Sequence, residues 1–297
     1  MEQQWHKARK PFAAIFGPPA FWLLLFFVVP LGIVWAYSFG RTLGLTEIAI
    51  TGTTANYVRA FDPIYIDVLL KSVGIAALVT LLCLVIGFPV ALAITFAPQR
   101  AKAWLLLLIM LPFWTNLLVR TYALMAMLRR DGYVNGAFGW AWDGLAGWGL
   151  PLAPFVPLPL LFNNFAVVLG LVYVNLPFLV LPLYAALDRL DRSMIEASLD
   201  LGASQWRTMR EIVVPLALPG ILSGLLITFV PALGSYLTPD LLGGPDSQMI
   251  ANVIERQFKR ANDWPFGAAL SFILMYLTFA AIAGQAMVTR RRARRAA

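Results

Sequence analysis

Six stretches of roughly twenty mostly apolar residues recur along this chain, and nothing else in the sequence limits its fold so tightly, because about twenty such residues in a helix cross the hydrocarbon of a bilayer. They run from Phe21 to Phe39, Ser72 to Phe96, Ala103 to Leu128, Phe165 to Leu187, Leu218 to Leu237 and Phe266 to Val288. In lipid a backbone satisfies its polar groups only inside a helix or a closed barrel, and runs of this length select the helix. Of 297 residues 60% are hydrophobic and 13% charged, too little charge to cover a water-soluble body of this size. The expected fold is therefore an all-α integral membrane protein with six transmembrane helices, forming one membrane domain over residues 1–297. Soluble-enzyme classes are excluded.

Lys7, Arg9 and Lys10 precede the first run as they would in a signal peptide, but the run continues through Val29 and Trp35 without a small-residue cleavage site, so it reads as a retained span. The segment 137–161 is apolar enough to compete as a further span. It carries Pro151, Pro154, Pro157 and Pro159, a density that a lipid-exposed helix does not tolerate. With Trp140, Trp142 and Trp148 it reads as a loop at headgroup depth.

Sorting charge onto the two sides of six spans puts fourteen Lys and Arg with the termini and eight opposite, against six and nine acidic residues respectively. The excess of positive charge marks the cytoplasmic side, so both termini are expected there. The net charge of +8 is thereby accounted for without nucleic acid. The one cysteine, Cys83, lies in an apolar run and the one histidine, His6, in the charged N-terminal tail, which leaves no metal cluster and no nucleophilic triad in the membrane body.

Between the fourth and fifth runs a loop extends from Asp188 to Val214, and its residues predict structure. Ser193 and Glu196 are spaced as a capping box at a helix start. Gly202 supplies a left-handed stop. Ser204 can cap a second helix on which Trp206, Met209 and Val213 recur at helical spacing, with Arg207, Arg210 and Glu211 turned elsewhere and Pro215 ending it. Two short helices with a glycine elbow suit pushing on another protein; an ordered loop lying on the lipid surface fits the same residues.

The residues EASLDLGASQWRTMREIVVP resemble the loop signature of ABC importer permeases: Glu-Ala-Ala, three residues, Gly, nine residues, Ile, one residue, Leu-Pro. Glu196, Ala197, Gly202, Ile212 and Pro215 stand at the matching positions, while Ser198 and Val214 replace an Ala and a Leu. The stretches PFWTNLLVRTYALMAML (Pro112 to Leu128), DLLGGPDSQMIANVI (Asp240 to Ile254) and DWPFGAAL (Asp263 to Leu270) are similar to the first permease of spermidine/putrescine importers. The resemblance implies a type I (MetI-like) importer permease in the inner membrane. Its partners would be a second homologous permease, two ATPase subunits and a periplasmic polyamine-binding protein. It makes the loop 188–214 the element that seats in the ATPase, with Glu196, Ala197, Gly202, Ile212 and Pro215 holding the docking geometry.

What the chain lacks agrees. None of its five lysines follows a glycine as a phosphate-cradling loop requires, so no cofactor is expected on this chain, and ATP and Mg belong to the partner ATPase. Its carboxylates lie in loops or at span ends, unlike those of a self-powered carrier. Another solute carried by the same architecture, or a non-transport assembly factor, are the alternatives.

A polyamine wants carboxylates for its ammonium groups and aromatic faces for its methylenes. The candidate path residues are Trp114, Asn116 and Tyr122 in the third run, Tyr173 and Asn175 in the fourth, and Tyr236 and Asp240 at the end of the fifth; aromatic anchoring and loop capping are the structural roles open to the same residues. Arg120 is the one charge within a run and is expected to be structural, since a fixed cation would repel a polycation. Pro30, Pro89, Pro112, Pro177, Pro182 and Pro231 interrupt five runs and read as kinked packing. Gly220 and Gly224 form a small-residue pair for close helix approach.

Overall fold

The computed structural model describes residues 2–44, 47–148 and 153–296; Pro151 lies outside them, as do the side chains of Lys7, Arg9, Lys10 and of residues 288–296. In chain order the elements are α1 (Glu2–Leu23), α2 (Val29–Ser38), a hairpin of β1 (Gly40–Leu43) and β2 (Glu47–Ile50), α3 (Ala55–Ala60), α4 (Pro63–Phe96), α5 (Gln99–Met110), α6 (Leu117–Leu128) and α7 (Tyr133–Gly147). There follow α8 (Asn164–Leu187), α9 (Arg192–Asp200), α10 (Gln205–Thr208), α11 (Val214–Leu233), α12 (Leu237–Leu242), α13 (Ile250–Lys259) and α14 (Trp264–Ala296). Among the described residues five helices are long and apolar enough to cross a membrane: Ala14–Ser38, Pro63–Phe96, Asn164–Leu187, Gln205–Leu233 and Trp264–Met287. Gln99–Trp114 and Leu117–Gly147 form a bent pair at 92° to each other, which brings the number of crossings to six when the pair is taken as one broken span.

That bend corrects the reading of 103–128 as one span. Pro112 has no N–H to donate, and the chain tightens into a 3₁₀ turn over Leu111–Trp114. Thr115 then goes extended, and the Asn116 side chain accepts the Leu118 N–H at 2.8 Å to start α6 afresh. Hydropathy registers apolar length and is blind to such a break. The other prolines are absorbed with less disturbance: Pro89, Pro177, Pro182, Pro219 and Pro231 stand inside continuous helices, and Pro30 follows a π-helical turn over Leu24–Val28.

The expected loop 137–161 is also half wrong. Residues up to Gly147 belong to α7, because every described proline of that segment falls after it. Asn135, 2% exposed, anchors the proline-rich stretch by accepting the Leu158 N–H and donating to the Leu158 carbonyl. Trp142 donates to the Ala153 carbonyl.

The chain divides into two compact units, residues 1–63 with 254–277, and residues 64–253 with 278–297. In the first, the hairpin pairs in the register Gly40↔Ile50 to Leu43↔Glu47, and Asn56 donates to the Ser38 and Gly40 carbonyls. Asp263 accepts from Arg59 at 2.7 Å, and the Arg59 guanidinium lies over the Phe266 ring. In the second unit α8 is the central helix. Gly220 and Gly224 of α11 face Ala186 and Leu179 of α8 so closely that a Cβ at Gly220 would collide with the Ala186 methyl, and Gly87 of α4 meets Leu179 and Val180 in the same way. Without a hydrophobic force between helices in lipid, such backbone approach is what packs them. Gly170 of α8 admits Thr238 and Leu242 of α12, and Leu242, Leu128 and Ala166 form one buried cluster joining α12, α6 and α8.

Candidate functional site

The loop after α8 is built from polar contacts. Its first helix, α9, is capped by Asp191, whose carboxylate accepts the Ser193 N–H at 3.0 Å; the expected capping box at Ser193 does not form, because Asp191 already takes the first free amide. That contact holds the Asp191 carboxyl below the usual carboxylate range. At the other end Gly202 has φ +83°, the Ala203 N–H bonds to the Ser198 carbonyl and the Gly202 N–H to the Leu199 carbonyl. This is the reciprocal pair of bonds that closes a helix on a left-handed residue. Two residues on, Ser204 accepts the Arg207 N–H and opens α10.

Here a second expectation fails. Pro215 does not end the second helix: α10, a π-helical stretch over Met209–Val213 and α11 run on as one crossing, Gln205–Leu233. The wider π turn relaxes the bonding pattern just before the proline, which sits in the first turn of α11 where a missing N–H is tolerated. Nor do Trp206, Met209 and Val213 share a covered face, for Val213 is buried but Trp206 is 76% exposed.

The five signature positions separate accordingly. Glu196 and Ala197 lie exposed on α9 and Gly202 exposed at the elbow, whereas Ile212 is half-buried and Pro215 exposed where the next crossing begins. Around the elbow Met194, Leu199, Leu201 and Trp206 are all exposed, Leu201 at 89%. α9 has no buried residue at all. Ile195 and Ser198 are its half-buried positions, and the rest of α9 and the elbow present an exposed surface that mixes apolar and charged side chains.

Its base is held by two contacts that sequence reasoning missed. Asp188, the residue ending α8, accepts from Lys102 Nζ at 2.6 Å, and Arg192 Nη2 donates to the Thr95 carbonyl at 3.3 Å. Lys102, aided by the Tyr184 hydroxyl and Arg192, holds the Asp188 carboxyl below the usual carboxylate range. Nothing in the spacing of residues 86 apart signals this pair.

The candidate path residues sit on α6, α8, α12 and their edges, three helices that pack on one another. The structure gives several of them structural work. Asn116 caps α6, and Asn175, 2% exposed, donates to the Leu171 carbonyl of its own helix. The Tyr236 carbonyl accepts from Asn252 Nδ2, fixing the start of α12. Trp114, Tyr122, Tyr173, Tyr236 and Asp240 are exposed. Arg120 is half-buried on α6 with its guanidinium carbon 5.6 Å from the Phe113 ring centre, and its Nε and Nη1 are buried without a hydrogen-bond partner among the described residues.

Comparison with known proteins bears on the family. The model of the family "binding-protein-dependent transport system inner membrane component" matches residues 12–294. The PotB permease of the spermidine/putrescine transport system of Escherichia coli K12 is 40% identical over 253 residues, 85% of this chain and 88% of that one. PotB of Haemophilus influenzae is 37% identical over 86% of each. Among solved structures, one chain of a bacterial ABC transporter involved in the import of alginate superposes with a TM-score of 0.74 at 16% identity, covering 97% of this chain and 99% of that one; that likeness speaks for the fold. With five apolar crossings and a sixth broken one, a capped loop carrying the importer-permease signature, and matches along nearly its whole length, the chain belongs to the binding-protein-dependent transport system inner membrane components, multi-pass permease subunits of ABC importers.

Proposed function

We propose that this chain is the permease subunit that carries polyamines of the spermidine/putrescine class inward through an ATP-driven importer. The observation that supports it most is the 40% identity to the PotB permease over 85% of the chain. Both termini and the loop 188–214 face the cytoplasm in this reading, following the excess of Lys and Arg on that side. A periplasmic binding protein delivers the polyamine, a second homologous permease completes the pathway, and two ATPase subunits bind ATP and Mg and seat against α9.

Glu196, Ala197 and Gly202 form the docking tip; Ile212 and Pro215 join it to the fifth crossing. Nucleotide-driven movement of the ATPases displaces the tip and thereby switches the pathway between outward and inward access. Trp114, Asn116, Tyr122, Tyr173, Asn175, Tyr236 and Asp240 line or support that pathway. Such a pathway binds weakly, because selection belongs to the binding protein and the permease must release what it receives.

Copurification from membranes tests the assembly. Affinity capture of the tagged chain is expected to retain an ATPase subunit, and Gly202→Val, which strains the left-handed elbow, to lose it while inserting normally. Capture of the wild-type chain without any ATPase would contradict the reading.

A further inference from the structure

We infer that Lys102, Asp188 and Arg192 form the joint through which movement of α9 reaches the broken third crossing. The two contacts at the base of α9 straddle the elbow between α4 and α5. Arg192, the first residue of α9, donates to the carbonyl of Thr95, which is one of the terminal carbonyls of α4 left without an intrahelical donor. Asp188, at the end of α8, binds Lys102 in the first turns of α5.

Neither contact is a by-product of apolar packing. α9 has no fully buried side chain, and its half-buried Ile195 shares a cavity of about 20 Å³ with Leu92, Phe96 and Leu190, so apolar cover is thin and the polar contacts at its base add to it in setting its position. Nor does the ion pair serve its own helices. A carboxylate at the end of α8 and an ammonium near the start of α5 each oppose the dipole of the helix that carries them. Each is tolerable because the other is there. Lys102 Nζ also lies 6.0 Å from the Tyr184 ring centre and its side chain is 11% exposed, while the Asp188 side chain is 40% exposed, so the ammonium is sheltered and the carboxylate reaches it from the solvent side.

α5 leads directly to the 3₁₀ turn and the 92° break that ends at Asn116. A push on α9 is thus delivered to a helix whose far end is already a hinge, next to Trp114 and Asn116. Lys102, Asp188 and Arg192 are positioning residues, acting through α5 and not on the solute.

The inference rests on the docking role of α9, and the test separates the two. The full importer, with its ATPases and binding protein, is reconstituted in proteoliposomes, and ATP hydrolysis and spermidine uptake are measured on the same preparation. Lys102→Met and Asp188→Asn are expected to keep the ATPases bound and ATP hydrolysed while uptake per ATP falls by about tenfold. The exchange K102D/D188K places each charge at the helix end whose dipole favours it and is expected to restore uptake per ATP. Unchanged uptake per ATP in both single variants would overturn the joint, as would loss of the ATPases from both with no rescue by the exchange. Failure of the docking reading shows elsewhere, as wild-type chain that binds no ATPase.

Discussion

Gly202 offers a test in which the chain's own sterics and a partner's can be told apart. Its φ of +83° lies in the left-handed region, and a Cβ built there meets nothing within 4 Å. Within this chain, therefore, a side chain at 202 costs backbone strain alone, about 1 to 2 kcal/mol for an ordinary residue and less for asparagine, whose short polar side chain tolerates that region. Strain of that size shifts the equilibrium between closed and open elbow by about five- to thirtyfold. If the elbow conformation is what docking requires, uptake should fall in the order Gly, Asn, Ala, Val, with Gly202→Asn nearest the wild type. If the partner's surface instead packs against position 202, size governs and Gly202→Ala should outperform Gly202→Asn. The assay is spermidine uptake by cells in which each variant replaces the resident permease, normalised to chain present in the membrane. Wild-type uptake by Gly202→Val would refute both the conformational and the docking argument.

Other outcomes follow from particular contacts. Gly170→Val forces a side chain against Thr238 and Leu242, an overpacking expected to cost about 1 to 3 kcal/mol and measurable as lower thermal stability of the detergent-solubilised chain. Because Asp191 is held below the usual carboxylate range by its cap contact, its contribution is present above the ordinary carboxylate pKa and is lost only as pH falls through the lower folded value. Hydrogen exchange of the Ser193 amide should be unprotected only in strong acid and show no such change between about pH 5 and 8. Asp240→Asn and Tyr236→Ala are expected to lower spermidine uptake while leaving the amount of assembled importer unchanged, as judged by ATPase recovered with the tagged chain.

How much of this the sequence disclosed depended on whether the signal was local. The fourth apolar run, 165–187, and the helix Asn164–Leu187 agree to within a residue, since a long apolar stretch bounded by Asn163 and Asp188 has only one regular conformation in lipid. Gly202 was legible for a similar reason: a glycine after a capped polar helix has a particular φ to supply. The break at Pro112 was not, because prolines at 89, 177, 182 and 231 lie within unbroken helices, and a proline alone does not say whether its helix kinks or stops. Asp191 and Glu196 are both spaced to accept from the Ser193 amide, and Asp191 takes it, a choice that composition alone could not make. The Lys102–Asp188 pair joins residues that only the folded backbone brings together. The path residues were chosen by type, and type does not distinguish Asn175, whose amide is spent on its own helix, from exposed Tyr173.

The central claim is that this permease moves polyamines on behalf of an ATPase, and substrate-stimulated ATP hydrolysis tests it most directly. The importer is reconstituted with its binding protein, and hydrolysis is compared with spermidine, putrescine, amino acids, phosphonates and ferric chelates as stimulants. Stimulation by spermidine or putrescine and by none of the others is the predicted result. Stimulation only by a solute that is not a polyamine would contradict it.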